Sequence, residues 1–480
     1  MAQWGRWALV AAALVGCSGG RVGADRAAWL QEALRTDNLV WLSREPQLVA
    51  DKLARMASDP YDFMRGSAAI DAADRRRVEG VDEPLAALDQ PGLATLVFGD
   101  AHPENLGTAW PGAAAGPIVQ APDPEGLVLS FFDPDAITYA PPLVELQRAS
   151  LGFAALRLAP QARAGCPRSC AESVASALGA GWAAAVVGEA LDDEGLVVGA
   201  LRLGAADAEQ LLSERLSDVE AESGLLARSP LDPEGRGQLD LRPHERAQLA
   251  RLWPAIAEAH GLRLLDAARR YGSGVSSIPA VRLLLLVDTG EAGPADDRVL
   301  DLRELVDPPA LAVAGAPVAG VFADNADRVE RGAAALWPQP DADPFLMGLV
   351  DGAQCFRLRG WRGAFASLDH LEIADGVEAG ALAPADLAAL AFTAGWTLGA
   401  AHARAPGPDG TAVGPRLRGA LRVAGGAEGV SAALAARVWG DLDRLEDDHL
   451  LLQALIAEHG PLAGIEADAN AGAWGEVAPF

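Results

Sequence analysis

The chain has 480 residues, a net charge of −27 and a pI near 4.6, with half of its residues hydrophobic and 5% aromatic. That length and apolar fraction build one large or two ordinary domains with real cores, and exclude a disordered or collagen-like chain. The acidity leaves no basic excess to exchange for counterions, so no nucleic-acid partner is expected. Lys52 is the only lysine; every other basic residue is Arg.

The first predicted segment is an address. Arg6 gives a weakly basic start, Trp7 to Val15 runs apolar, and Leu14-Val15-Gly16-Cys17 resembles a bacterial lipobox. The apolar run is shorter than the ~20 residues that span a bilayer, so it reads as a signal peptide. The expectation is a signal peptide over 1–16, a lipidated Cys17, and a Gly/Ser tether over 17–24. An ordinary signal peptide with an incidental Cys is the alternative. Ser18 after the Cys, rather than Asp, resembles an outer-membrane destination. The expected location is the cell envelope, facing periplasm or surface, with membrane contact only through the lipid.

Residues 25–270 are expected to form a mostly helical large lobe. Its parts are helices at Asp25–Arg35 and Gln47–Met56, a β run at Leu93–Phe98, a Pro/Gly/Ala-rich loop over 109–126, and a second β run at Leu127–Phe132. Helical periodicity follows from Leu143 to Arg270, including Glu209–Arg228 and Glu245–Ala268. Cys166 and Cys170 flank a Pro-containing turn and can close a local disulfide in an oxidising compartment; Cys355 reads as a buried thiol. A small β-rich lobe is expected over 271–362, with strands at Ala280–Val287 and Val299–Leu302 and a hairpin at Asp351-Gly352. Helices resume over 363–480, chiefly Pro384–Arg404 and Ser431–Glu458. The fold class is α+β.

Two strand ends carry the chemistry. The first is Gly99-Asp100-Ala101-His102-Pro103-Glu104-Asn105, the second Phe131-Phe132-Asp133-Pro134-Asp135. An Asp at a strand end, an amide five residues on and a second strand-end Asp fit a phosphoryl-transfer site. Asp100 would take the acceptor's proton, with His102 orienting the loop or touching the acceptor; Asn105 and Asp133 would hold Mg²⁺ on the phosphates of ATP. The bland alternative is a pair of Asx turns satisfying backbone N–H groups. A metallophosphoesterase also uses a Gly-Asp-x-His element, but the seven His show no second ligand cluster.

The Asp-x4-Asn spacing followed by a strand and Asp resembles the protein-kinase-like superfamily, and Gly-Asp-x-His-Pro-x-Asn is close to its aminoglycoside and choline phosphotransferase branch. Together with Arg55-Met56, Pro60–Gly66, and Gly395–Arg404, these motifs resemble the bacterial domain of unknown function 2252 family over most of residues 45–405. The resemblance implies a bilobal kinase-like fold. Here the Gly-rich and hairpin region follows the catalytic-type loop, so the order implied is a circular permutation; an unrelated α+β fold with convergent turns is the alternative. The small lobe departs from the family pattern. Gly272 and Gly274 lack the later Gly, and Leu302-Arg303-Glu304 stands where the pattern has Lys-Glu. Arg303 is therefore the expected phosphate contact, paired with Glu330 or another acid across the cleft; the favoured reading of Glu330 itself, in a helix over Asn325–Leu336, is a solvated helix face. Arg65 would reach a phosphate or pair with an acidic neighbour. His402 reads as a packing histidine. Two functions stay open: a Mg²⁺-dependent phosphotransferase or nucleotidyltransferase on an unknown small-molecule or protein acceptor, and a pseudokinase-like binding module at the envelope.

Overall fold

A computed structural model describes residues 20–77, 84–109, 128–159, 162–163, 165–191, 225–232, 235–290, 297–310, 321–339, 342–361 and 366–465. Cys17, the signal segment, most of the 109–126 loop and most of Glu209–Arg228 lie outside them.

Four helices come first: α1 (Gly20–Leu42), α2 (Pro46–Ser58), α3 (Pro60–Gly66) and α4 (Ala68–Arg77). Asp59 ends α2 and caps α3, its carboxylate accepting the Tyr61 and Asp62 N–H groups; Pro60 lacks the N–H that this first position would leave unused. Four short strands follow, β1 (Thr95–Val97), β2 (Leu106–Ala109), β3 (Val128–Phe131) and β4 (Thr138–Ala140), then α5 (Pro142–Ala154) and α6 (Arg168–Val187). β1 pairs with β4 and β2 with β3, which sets the 99–105 and 132–135 loops at neighbouring strand ends. Cys166 and Cys170 are joined as a disulfide just before and within the start of α6, with Cα atoms 5.2 Å apart.

The chain then builds a six-stranded antiparallel sheet from β5 (Gly237–Asp240), β6 (Arg263–Tyr271), β7 (Arg282–Asp288), β8 (Arg298–Leu305), β9 (Met347–Asp351) and β10 (Gln354–Gly360), in the order β5-β6-β7-β8-β10-β9. Helix α7 (Pro243–His260) lies between β5 and β6, and α8 (Asn325–Leu336) between β8 and β9. The change of texture expected at Tyr271 thus comes too late, since two strands precede it. The helix expected to run to Ala268 stops at His260, because Gly261 takes a left-handed conformation (φ +68°) and ends it. The expected hairpin forms, but its two-residue turn is Gly352-Ala353, one residue later than read: Asp351 is the last residue of β9 and pairs with Gln354.

The tail adds β11 (Ala366–Ser367), which pairs with β2, and α9 (His370–Glu378), α10 (Pro384–Arg404), α11 (Gly414–Val423) and α12 (Gly426–His459). α6 is long and apolar enough to cross a membrane by composition, but it is mostly buried between other helices. α6 and α10 nearly touch backbones. A Cβ on Gly395 would sit 2.0 Å from the Leu178 carbonyl oxygen, and one on Gly181 would sit 1.9 Å from that of Phe392. The Gly395–Arg404 motif is a helix-packing seam.

Each half has its own core, which is the α+β arrangement expected. The larger joins the helices to β1–β4. The smaller packs Leu249, Leu252 and Ile256 of α7 on Leu283, Leu285, Leu300, Leu302, Phe356 and Leu358 of the sheet. Strand side chains alternate faces. With one face committed to α7, the other carries Arg303, Asp301 and Arg357, and this face meets the 133–135 loop.

Candidate functional site

The first loop begins at Gly99, whose φ is +81° and where a Cβ would lie 2.1 Å from the Ala136 carbonyl oxygen. Only Gly suits that turn. Its N–H donates to Glu145 Oε1 (2.7 Å), and Glu145 Oε2 faces His402 Nε2 at 2.6 Å. The Trp182 indole N–H donates to His402 Nδ1 (3.1 Å). An indole N–H can only donate, so Nδ1 accepts and Nε2 carries the proton donated to Glu145. His402 and Glu145 are fully buried. His402 is therefore a packing histidine, as read, and also a brace for the loop.

Asp100 Oδ1 accepts from Arg148 Nε at 2.9 Å. Arg148 is itself buried, with Nη1 on Asp71 and Nη2 on the Met64 carbonyl (2.7 Å). Asn105 Nδ2 donates to the Asp100 carbonyl at 2.9 Å. A carbonyl can only accept, so the amide orientation is fixed and Oδ1 is left for another partner. His102 Nε2 lies 3.7 Å from Asp100 Oδ2, beyond hydrogen-bond reach. Burial pushes its pKa down against the pull of Asp100, and Nδ1 has no partner.

The second loop is held by the sheet. Arg282, Arg303 and Arg357 lie abreast on β7, β8 and β10, directly paired in register. Three cations side by side need acids between them. Asp301 bonds Arg282 (2.8 and 3.0 Å) and Arg357 (3.1 Å). Asp135 bonds Arg303 Nη1 (2.6 Å) and Arg357 Nε. Burial alone would raise the Asp135 carboxyl, but Arg303 and Arg357 bring it down to about 2; Asp301 is driven lower still, against burial, by Arg282 and Arg357. Asp133 is held loosely, 3.7 Å from Arg303 and 3.9 Å from Arg357, and its buried Oδ1 accepts no hydrogen bond.

Asp100, Asn105, Asp133, Asp135 and Arg303 all line one cavity of about 910 Å³. Ser276, Ser277 and Ala280 close it from the turn after β6, and Trp29, Asp37, Trp41 and Lys52 from the N-terminal helices. Arg303 also donates to Ser277 Oγ. Gly272 and Gly274 of this turn have φ of +66° and +78°. They shape it without lining the cavity, though a Cβ on Gly274 would stand 3.6 Å from Arg303 Nη2.

At three positions the structure favours one of the alternatives that the sequence left open. Arg303 pairs with Asp135 and Asp133, not Glu330, which sits on an exposed face of α8. Arg65 pairs with Glu104 (2.7 Å) and Asp62 (3.1 Å) and is not among the cavity's lining residues. Glu104 also bonds His370; that bond and Arg65 outweigh burial and bring its pKa to about 2. His102 does not line the cavity either. Sequence reasoning passed over Glu145, Arg148, Asp135, Arg357 and Lys52. The available signal was Glu145 and Arg148 in a helix whose every residue is buried: such charges need dedicated partners.

Among the described residues, no three His, Cys, Asp or Glu side chains group as a metal site. Mg²⁺, however, commonly takes one or two carboxylates and completes its shell with water and phosphate oxygens. The orphaned Asp133 Oδ1 and the free Asn105 Oδ1 are of that kind.

No curated protein and no solved structure matches the chain. The family model described as "Uncharacterized protein conserved in bacteria (DUF2252)" matches residues 44–177 and 244–455. Those stretches hold both loops, the arginine row and α10, and the chain belongs to the DUF2252 family.

Proposed function

We propose that the cavity is a Mg²⁺-dependent phosphotransfer site, taking a nucleoside triphosphate as donor and a hydroxyl compound as acceptor. The observation that carries this reading is the convergence of Asp100, Asn105, Asp133 and Arg303 on one cavity. The fold then reads as kinase-like with permuted order, because the roof residues follow the two acidic loops in the chain. Mg²⁺ bound by Asn105 and Asp133 would neutralise developing phosphate charge. Arg148 occupies Asp100 Oδ1, which leaves Oδ2 to accept the acceptor's proton. Ser277 and the Gly272–Gly274 turn shape the phosphate end, and the arginine row fixes where Asp133 stands. Transfer of a nucleotidyl group uses the same parts.

A binding module without turnover is the second reading. It is favoured by the double occupation of Arg303, which two aspartates already neutralise. Calorimetry on the mature chain with Mg²⁺–ATP, repeated on Asp133→Ala, tests the first. Binding lost on substitution supports it, and absence of binding by any nucleotide overturns it. Phosphate release or transfer by wild type but not by Asp100→Asn separates enzyme from module.

The export reading belongs here too. The short apolar run and lipobox support a lipoprotein of the cell envelope that begins at a diacylglyceryl-modified Cys17. Mass spectrometry of the mature N-terminus tests it, and an unmodified start at another residue would overturn it.

A further inference from the structure

Lys52, on α2, lines the cavity while being 2% exposed. Its surroundings are built. Asn38, itself fully buried, donates its amide to the Leu34 carbonyl (2.8 Å), which turns Oδ1 towards Lys52. Lys52 Nζ donates to that Oδ1 at 3.1 Å and to Asp37 Oδ2 at 2.6 Å. An ammonium carries three N–H donors. Among the described residues no third acceptor meets it, and both Lys52 and its partner Asp37 line the cavity.

Charge points the same way. The lining carries Glu32, Asp37, Asp100, Asp133, Asp135, Glu304 and Asp307 against only Lys52 and Arg303. Arg303 is committed to Asp135, Asp133 and Ser277. Lys52 faces one carboxylate and one neutral amide. An anion entering so acidic a cavity needs a donor that is not already spent, and a compact ammonium serves as a point charge for phosphate where Arg's planar fork does not.

We propose that the third N–H of Lys52 contacts a phosphate oxygen of the ligand that fills this cavity, so that Lys52 supplies from the helical half the compact cation that the sheet lacks. The choice of a phosphate-bearing ligand rests on the phosphotransfer reading; the open donor does not.

Because Lys52 is the only lysine, ¹⁵N-lysine labelling of the mature chain gives a single side-chain ammonium resonance. It is followed during titration with Mg²⁺–ATP and, separately, with Mg²⁺–pyrophosphate, each paired with calorimetry. Heat together with movement of the resonance is the expected result. Heat with an unmoved resonance overturns the Lys52 contact and leaves the nucleotide reading intact. Movement with pyrophosphate but no heat from ATP supports the contact and overturns the nucleotide reading. Neither effect overturns both. Lys52→Gln should weaken Mg²⁺–ATP about ten- to a hundredfold, the scale of one charge-assisted hydrogen bond. That variant leaves Asp37 without its cation, so a failure to fold would return the decision to the resonance, which needs no substitution.

Discussion

The two acidic loops look alike in the sequence but are held by different means. The 99–105 loop is braced from within the helical half: Glu145 and Arg148 of one buried helix take the Gly99 N–H and the Asp100 carboxylate. The 132–135 loop is braced from the sheet, by Arg303, Arg357 and Arg359, the last donating to the Phe132 carbonyl at 2.9 Å. A loop tied to its own half keeps its geometry whenever that half is folded. A loop tied across the cleft keeps its geometry only while the two halves are docked. Asp100 is thus preset, and Asp133 is set by the sheet.

The largest effect should come from the first brace. Arg148 bonds Asp100, Asp71 and the Met64 carbonyl at once. Arg148→Leu leaves two carboxylates and a carbonyl without their donor in a buried place. A loss of about 3–5 kcal/mol is expected, the usual scale for stripping one partner from a buried ion pair. Urea unfolding measures it. A loss below about 1 kcal/mol would mean that water replaces the guanidinium and that the loop is not preset.

The second brace should show itself in acid. The Asp135 carboxyl lies at about 2 in the folded chain against an ordinary 3.8. A depressed carboxyl contributes stability that is complete above the unfolded value and is lost as pH falls through the folded one. Asp135 therefore contributes about 2 kcal/mol above pH 4 and progressively less towards pH 2. Unfolding curves at stepped pH should show that acid limb in wild type and a shallower one in Asp135→Asn. An unchanged limb would place the loss elsewhere, Glu104 being the natural suspect because its carboxyl is lowered to the same range.

This division explains what the sequence could and could not tell. Asp100 and Asp133 were legible because each sits just beyond the end of an apolar run, where a side chain must leave the strand, and Asn105 by its spacing from Asp100. The α8 boundaries and the β9–β10 hairpin were legible from local signals too, although the turn falls one residue later, at Gly352-Ala353. The start of the sheet was not. Arg263–Tyr271 carries enough charge to pass for a helix face, and its pairing with β7 is a long-range fact. The arginine row depends on register across three strands, and register is set by partners far along the chain. Lys52 reaches the cavity only because α1 and α2 pack at one angle rather than another, which no periodicity reports.

A smaller effect tests the inner brace by proton position. Glu145 accepts from Gly99 and from His402, and His402 accepts from Trp182. In Glu145→Gln the amide can accept from Gly99 only by turning its NH₂ towards His402 Nε2–H. His402 then loses an acceptor, or shifts its proton to Nδ1 and loses Trp182. One buried bond fails either way, at about 1–2 kcal/mol. A loss near zero, with the His402 ring nitrogen signals unmoved by NMR, would show that the chain of bonds is not directional and that the Gly99 turn holds itself.

The smallest effect is the control for the second brace. Glu330 was one acid that the sequence offered to Arg303, beside the favoured reading of a solvated helix face. α8 presents Glu330 to solvent, and Asp135 pairs with Arg303 from the opposite half. Glu330→Ala should therefore change stability by no more than about 0.5 kcal/mol, as exposed substitutions do, and leave nucleotide binding untouched. The double variant Glu330→Ala with Asp135→Asn should equal Asp135→Asn alone, since the two acids share no partner. If Glu330→Ala cost as much as Asp135→Asn, or if the pair coupled, Arg303 would be exchanging acids between α8 and the 132–135 loop. The sheet would then have two ways to hold its arginine, and Asp133 would no longer be fixed by the docking of one half on the other.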